Sequence, residues 1–129
     1  MVTTQRPGLY ILENEAGRGI FTASAIARND LIELCPVIIL SREDTQLIHR
    51  TRLHDYYFIW DLEAGSSAIA LGYGSLYNHS DDPNAAFELD HQSGNIRITA
   101  LKDIPAQDEI RINYITDPDA GYKLWFDQS

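Results

Sequence analysis

Gly72-Tyr-Gly-Ser-Leu-Tyr-Asn-His-Ser-Asp-Asp-Pro-Asn84 is the least ordinary stretch of this chain, because Asn78, His79, Ser80 and a Pro83-Asn84 turn lie between two apolar runs. Taken alone, such a segment is a polar loop braced by local side-chain to main-chain hydrogen bonds. His79 has no other His or Cys at ligand spacing, which argues against a metal there. The flanking runs, Ala68–Leu71 before it and Ala85–Leu89 after it, read as strands.

Outward from this loop the chain alternates short β-type runs with Gly, Asn, Asp and Pro. Leu9–Leu12 and Gly19–Ala23 read as the first two strands. Leu31–Cys35 and Val37–Leu40 read as a third, bent or bulged at Pro36, which has no N–H for a ladder. One helix is expected from Arg42 to about Leu53, capped by Ser41, with Asp44 as the capping-box acid and Leu47, Ile48 and Leu53 as its apolar stripe. Tyr56–Leu62 returns to strand. Ala85–Leu89 and Asn95–Thr99 predict a hairpin whose loop supplies Gly94 where φ > 0 is needed. The final alternating run, Glu109–Tyr114, puts Ile110, Ile112 and Tyr114 on one face. The expected fold class is mostly β, in one domain spanning 1–129, with no repeat or linker.

The chain's 129 residues suit a single domain that buries roughly two-thirds of its unfolded surface. One cysteine excludes an internal disulfide framework and a multi-cysteine zinc cluster, and it fits a reducing compartment. The net charge of −9, with only Lys102 and Lys123 as lysines, argues against direct nucleic-acid binding and for a basic protein or peptide partner. No segment reads as a targeting signal or a membrane span, so a soluble, intracellular protein is expected.

Gly17-Arg18-Gly19 reads as a strand-connecting turn; a phosphate-binding fingerprint would need more spaced glycines and a following helix. Its two glycines still allow close approach of a ligand to backbone amides. Cys35 reads as a small core residue, and Tyr56-Tyr57-Phe58 with Trp60 reads first as core and second as an aromatic cage for a cation. His49 and His54 flank the helix C-terminus in a dipole or surface role, and His91 sits in an exposed turn. Asp108-Glu109 reads as a solvated turn, and a buried Tyr114 would need a hydrogen-bond partner for its hydroxyl.

The order of three blocks is more specific than any one of them. Ala16-Gly-Arg-Gly-Ile-Phe21, then Asn78-His-Ser-Asp-Asp-Pro-Asn84, then Asp108-Glu-Ile-Arg-Ile-Asn-Tyr114 resembles the signature blocks of the SET-domain protein lysine methyltransferases, over roughly Leu9 to Tyr114. The resemblance implies a fold of several small sheets with short helices and a C-terminal pseudoknot. It also implies a core of about residues 9–115, with 116–129 as a segment able to close the substrate channel.

Carried over by position, Ala16, Gly17 and Arg18 would hold the methionine end of S-adenosylmethionine through main-chain groups. Asn78 and His79 would contact the same cofactor, His79 by its backbone, and Tyr114 would be the catalytic tyrosine. Tyr57, Phe87, Ile112 and Trp125 would line the substrate lysine channel, and Tyr122 and Phe126 are further aromatics for closing it. The implied partner is a basic protein or peptide such as a histone tail, S-adenosylhomocysteine is the product, and no metal is required. A homodimer would cover apolar surface in a domain without flanking modules. Ser75 and Asn113 depart from the common family pattern, and both bear on substrate choice. The alternative expectation is a catalytically idle SET-like domain that binds a basic peptide.

Overall fold

A computed structural model describes residues 4–15 and 17–114, apart from the side chain of Asn14. Strands β1 (Leu9–Asn14) and β2 (Gly17–Thr22) form an antiparallel hairpin, both reaching closer to the turn than the apolar runs suggested. Gly17, at φ 105°, supplies the left-handed backbone that this tight connection requires.

Strand β3 (Leu31–Leu40) is continuous through Pro36. Leu31–Pro36 pairs with β8 (Asn95–Ala100) and Val37–Leu40 pairs with β5 (Ser66–Ala70), so Pro36 marks a change of partner. The expected bulge at Pro36 is therefore corrected: the irregularity in register lies between Leu31 and Glu33. A residue without an N–H is tolerated where one ladder gives way to the next.

Helix α1 covers only Arg42–Ile48, and Arg52–Asp55 forms a separate 3-10 turn. Ser41 caps α1 by accepting from the Asp44 N–H at 3.1 Å. Thr51 ends the run, its hydroxyl donating to the Ile48 carbonyl at 2.6 Å while accepting from the Leu53 N–H at 3.1 Å. The expected apolar stripe is also corrected, since Leu47 is 61% exposed and Leu53 45%. Thr45 is the buried residue of α1, and its hydroxyl lies 2.7 Å from Ser67 Oγ on β5.

Strand β4 (Tyr57–Asp61) pairs with β5, and β7 (Ala85–Asp90) pairs with β8 through a turn closed by Gly94 at φ 74°. His91 in that turn is exposed yet anchored, with Nε2 2.7 Å from the Trp60 carbonyl. The order β4-β5-β3-β8-β7 makes one sheet. The other is β1-β2-β9-β6, in which β9 (Glu109–Ile112) lies between the hairpin and the two-residue β6 (Asn78–His79). Both sheets contribute to one core, in which Ile20, Ile32, Ile98, Ile110 and Cys35 are fully buried.

The β6–β9 pairing is parallel, Asn78 opposite Arg111 and His79 opposite Ile112. Asn84 extends the clamp: its Nδ2 donates to the Glu109 carbonyl and its Oδ1 accepts from the Arg111 N–H, both at 2.8 Å. The polar stretch that reads as a loop in sequence is thus the seat for the last described strand. The segment expected to complete a pseudoknot lies outside the described residues. Among the described residues, no helix is long and apolar enough to cross a membrane.

Candidate active site

Asn78 leaves β6 with its amide donating twice, to the Arg18 carbonyl at 3.1 Å and to Glu109 Oε2 at 2.7 Å. One side chain therefore ties the glycine turn, β6 and β9 together. Glu109 is the residue that the sequence reading missed, and the solvated turn expected for Asp108-Glu109 is corrected for it. Its side chain is only 8% exposed, and Oε1 accepts from Arg111 Nε and Nη2 at 3.0 and 2.9 Å. The available signal was the i, i+2 pairing of opposite charges, which places Glu109 and Arg111 on one strand face. Gly19 makes room for this arrangement, because a Cβ there would collide with Glu109 Oε2 and stand 2.9 Å from Asn78 Nδ2.

Tyr114 follows β9 and is 40% exposed, so the fully buried tyrosine expected from the alternation is corrected to a half-open one. Its hydroxyl donates to the Tyr77 carbonyl at 2.5 Å. Burial first, then the neighbouring Tyr56, Asp55 and Glu109, push the phenol above the ordinary tyrosine range. Tyr77 is itself buried and donates its hydroxyl to Glu33 Oε1 at 2.6 Å. Glu33, also buried, accepts from the Tyr73 N–H at 3.0 Å and from Gln5 Nε2 at 3.1 Å. A satisfied buried carboxylate thus holds Tyr77, whose carbonyl holds Tyr114.

His79 lies against the same tyrosine. The Tyr114 N–H donates to His79 Nδ1 at 3.1 Å, the rings are 5.1 Å apart between centroids, and His79 Nε2 is 3.1 Å from Asp81 Oδ1. Gly17, Arg18, Asn78, His79 and Tyr114 are therefore linked through β2, β6 and β9, although nearly a hundred positions separate the first from the last.

The expected channel residues lie deeper. Phe87 packs edge-on against Phe58 at 5.0 Å between ring centroids, and Ile112 is fully buried. Tyr57 is buried with its hydroxyl 3.2 Å from His49 Nδ1, while Tyr56 is exposed. Ala16, Tyr122, Trp125 and Phe126 lie outside the described residues. Among the described residues, no group of three or more His, Cys, Asp or Glu is placed to hold a metal ion.

A β-rich fold that seats its last described strand against an Asn-His pair, with a tethered tyrosine two residues beyond that strand, belongs to a recognisable class. The sequence model of the SET domain matches residues 17–115, and this chain belongs to the SET-domain family. A curated relative, "Histone-lysine N-methyltransferase, H3 lysine-37 specific" from Schizosaccharomyces pombe, is 33% identical over 124 residues, covering 95% of this chain and 79% of the relative. The crystal structure of a Plasmodium falciparum protein provisionally named a histone methyltransferase superposes with a TM-score of 0.69 at 32% identity, covering 93% of this chain and 98% of that one. The Neurospora SET domain protein DIM-5, a histone lysine methyltransferase, shares the fold at TM-score 0.68 and 22% identity, over 88% of this chain and 54% of that one.

Proposed function

We propose that this chain is a protein-lysine N-methyltransferase that uses S-adenosylmethionine and acts on a basic protein or peptide, with a histone tail as the leading candidate. The observation that carries this reading is the linked set of Asn78, His79 and Tyr114, three signature positions drawn to one place by the parallel β6–β9 pairing. Membership of the SET-domain family supports it, as do the methyltransferase names of the relatives.

The residues present fit the donor. Among the described residues nothing lies within 4 Å of where a Gly17 Cβ would stand, which leaves room for a ligand beside it. Both bonds from Asn78 Nδ2 go to protein acceptors, which leaves the amide oxygen to accept from an ammonium group. Gly17, Arg18 and Asn78, with Ala16 beside them, would hold the methionine end. When bound, S-adenosylmethionine supplies an electrophilic methyl on a positively charged sulfur.

The chain's own contribution is to present a neutral amine in line with that methyl. An ordinary lysine, with pKa about 10.4, favours its ammonium form at pH 7 by roughly 4–5 kcal/mol. Apolar walls and a neighbouring positive charge both weaken that preference. Tyr114 already gives its hydroxyl proton to the Tyr77 carbonyl, so its oxygen is left to accept from the amine. Its raised pKa keeps the phenol neutral, which favours an orienting role over that of a general base. Tyr57, Phe87, Ile112 and Trp125 remain the proposed lysine-channel residues.

Calorimetry separates this reading from an idle peptide-binding domain. The wild-type chain should bind S-adenosylmethionine, and Asn78→Ala should weaken that binding by roughly 10-fold, the equivalent of one lost hydrogen bond to a charged group. A wild-type chain that does not bind the donor would favour the idle domain.

A further inference from the structure

The side chain and the main chain of Tyr77 have different tasks. Its ring is 1% exposed, and its hydroxyl donates to Glu33 Oε1 at 2.6 Å. The loop before it is shaped around that carboxylate. A Cβ on Gly72 would collide with Glu33 Oε2, which accepts from the Tyr73 N–H at 3.0 Å. Burial first, then Glu33, push the Tyr77 phenol far above its ordinary value, so it keeps the proton it donates. A phenylalanine would fill the same core space, so what the hydroxyl adds is direction.

The next residue is anchored in the same manner. Asn78 donates to the Arg18 carbonyl and to Glu109 Oε2, and Glu109 is also largely buried. Glu33 lies on β3 and Glu109 on β9, in different sheets. The planar peptide group between Tyr77 and Asn78 is thus tied at both ends, one end to each sheet, and it cannot turn without breaking a tie. Its carbonyl is the one that accepts from the Tyr114 hydroxyl at 2.5 Å.

We propose that the Tyr77 phenol is a positioning residue for methyl transfer: anchored on Glu33, it sets the plane of the Tyr77–Asn78 peptide and so the direction in which that carbonyl holds the Tyr114 hydroxyl. This rests on the proposed function and deepens it, because it adds a residue that acts through Tyr114. Without the phenol tie the peptide is held by Asn78 alone and can rock. The Tyr114 oxygen then loses its fixed place opposite the incoming amine.

Two measurements on the whole chain test this. The first is NMR of the wild type with carbon-labelled tyrosine, without donor or substrate. The Tyr77 hydroxyl proton should exchange with water slowly enough to give a resolved signal. A Tyr77 hydroxyl that exchanges as fast as that of an exposed tyrosine overturns the anchor whatever the enzyme does.

The second is kinetic. Tyr77→Phe should lower kcat by roughly 10-fold, with KM for S-adenosylmethionine changed less than about 3-fold. Thr45→Ala, which breaks the buried hydroxyl contact with Ser67, should lower stability and leave kcat within about 2-fold. In a Tyr114→Phe background no hydroxyl remains to be directed, so Tyr77→Phe should cost less than about 2-fold more. Full kcat in Tyr77→Phe, a matching loss in Thr45→Ala, or additive losses in the double variant would each overturn the positioning role. A wild-type chain that shows the slow hydroxyl proton but transfers no methyl group would overturn the proposed function, and this role with it.

Discussion

On the proposed function, the Tyr114 hydroxyl is the smallest feature on which the chemistry would turn. It points its proton at a main-chain carbonyl and burial raises its pKa, so its oxygen would be left to accept from a substrate amine. Tyr114→Phe should therefore lower kcat by roughly 10²-fold or more while the S-adenosylmethionine Kd stays within about 3-fold. Equal losses in both would mean that the residue is structural. Signature order made Asn78, His79 and Tyr114 legible in the sequence, but it did not disclose what holds them. Glu33 and Tyr77 were hidden because a buried carboxylate is stabilised by partners distant in sequence, here Gln5, Tyr73 and Tyr77.

Among the elements, the hairpins were the most legible, since alternation and turn glycines are local signals. Gly94 closes β7–β8 and Gly17 closes β1–β2 in the left-handed backbone that such turns need. The helix was less so: its length was set by Thr51 competing for backbone groups, and its inner face by a Thr45–Ser67 hydroxyl contact. Glu109 escaped because β9 is an inner strand, flanked by β2 and β6, so a charge on it need not face solvent. The same packing makes Gly19 a sensitive position. The Glu109 carboxylate that a Cβ would strike is held by Asn78 and Arg111 and cannot swing away without breaking those bonds. Gly19→Ala should cost about 1–3 kcal/mol of stability and weaken donor binding, as read by denaturant titration and calorimetry. Unchanged stability would show that the carboxylate is looser than its contacts imply.

At the scale of the whole molecule, two core groups set an alkaline limit. Burial, with Glu33 alongside, pushes both the Cys35 thiol and the Tyr77 phenol far above their ordinary values of 9.0 and 10.0. In the unfolded chain both lose protons sooner, so the folded state binds more protons and stability falls as pH rises. The contribution is fully present below pH about 9 and declines above it, by at most about 1.4 kcal/mol per pH unit for each group. Thermal unfolding followed from pH 7 to 11 should show a midpoint that is level at first and drops beyond pH 9 to 10. A midpoint that stays level to pH 11 would contradict the burial of both groups. The same core seats β9, so this limit also applies to the geometry of the candidate site.

Methyl transfer itself is the most direct test of the account. The wild-type chain and Tyr114→Phe should be incubated with labelled S-adenosylmethionine and a panel of basic proteins that includes histones, and the products read by mass spectrometry. The account predicts methyl-lysine on at least one basic substrate with the wild type and little or none with the variant. Undiminished methylation by Tyr114→Phe, or no transfer by a wild-type chain that also fails to bind the donor, would contradict it.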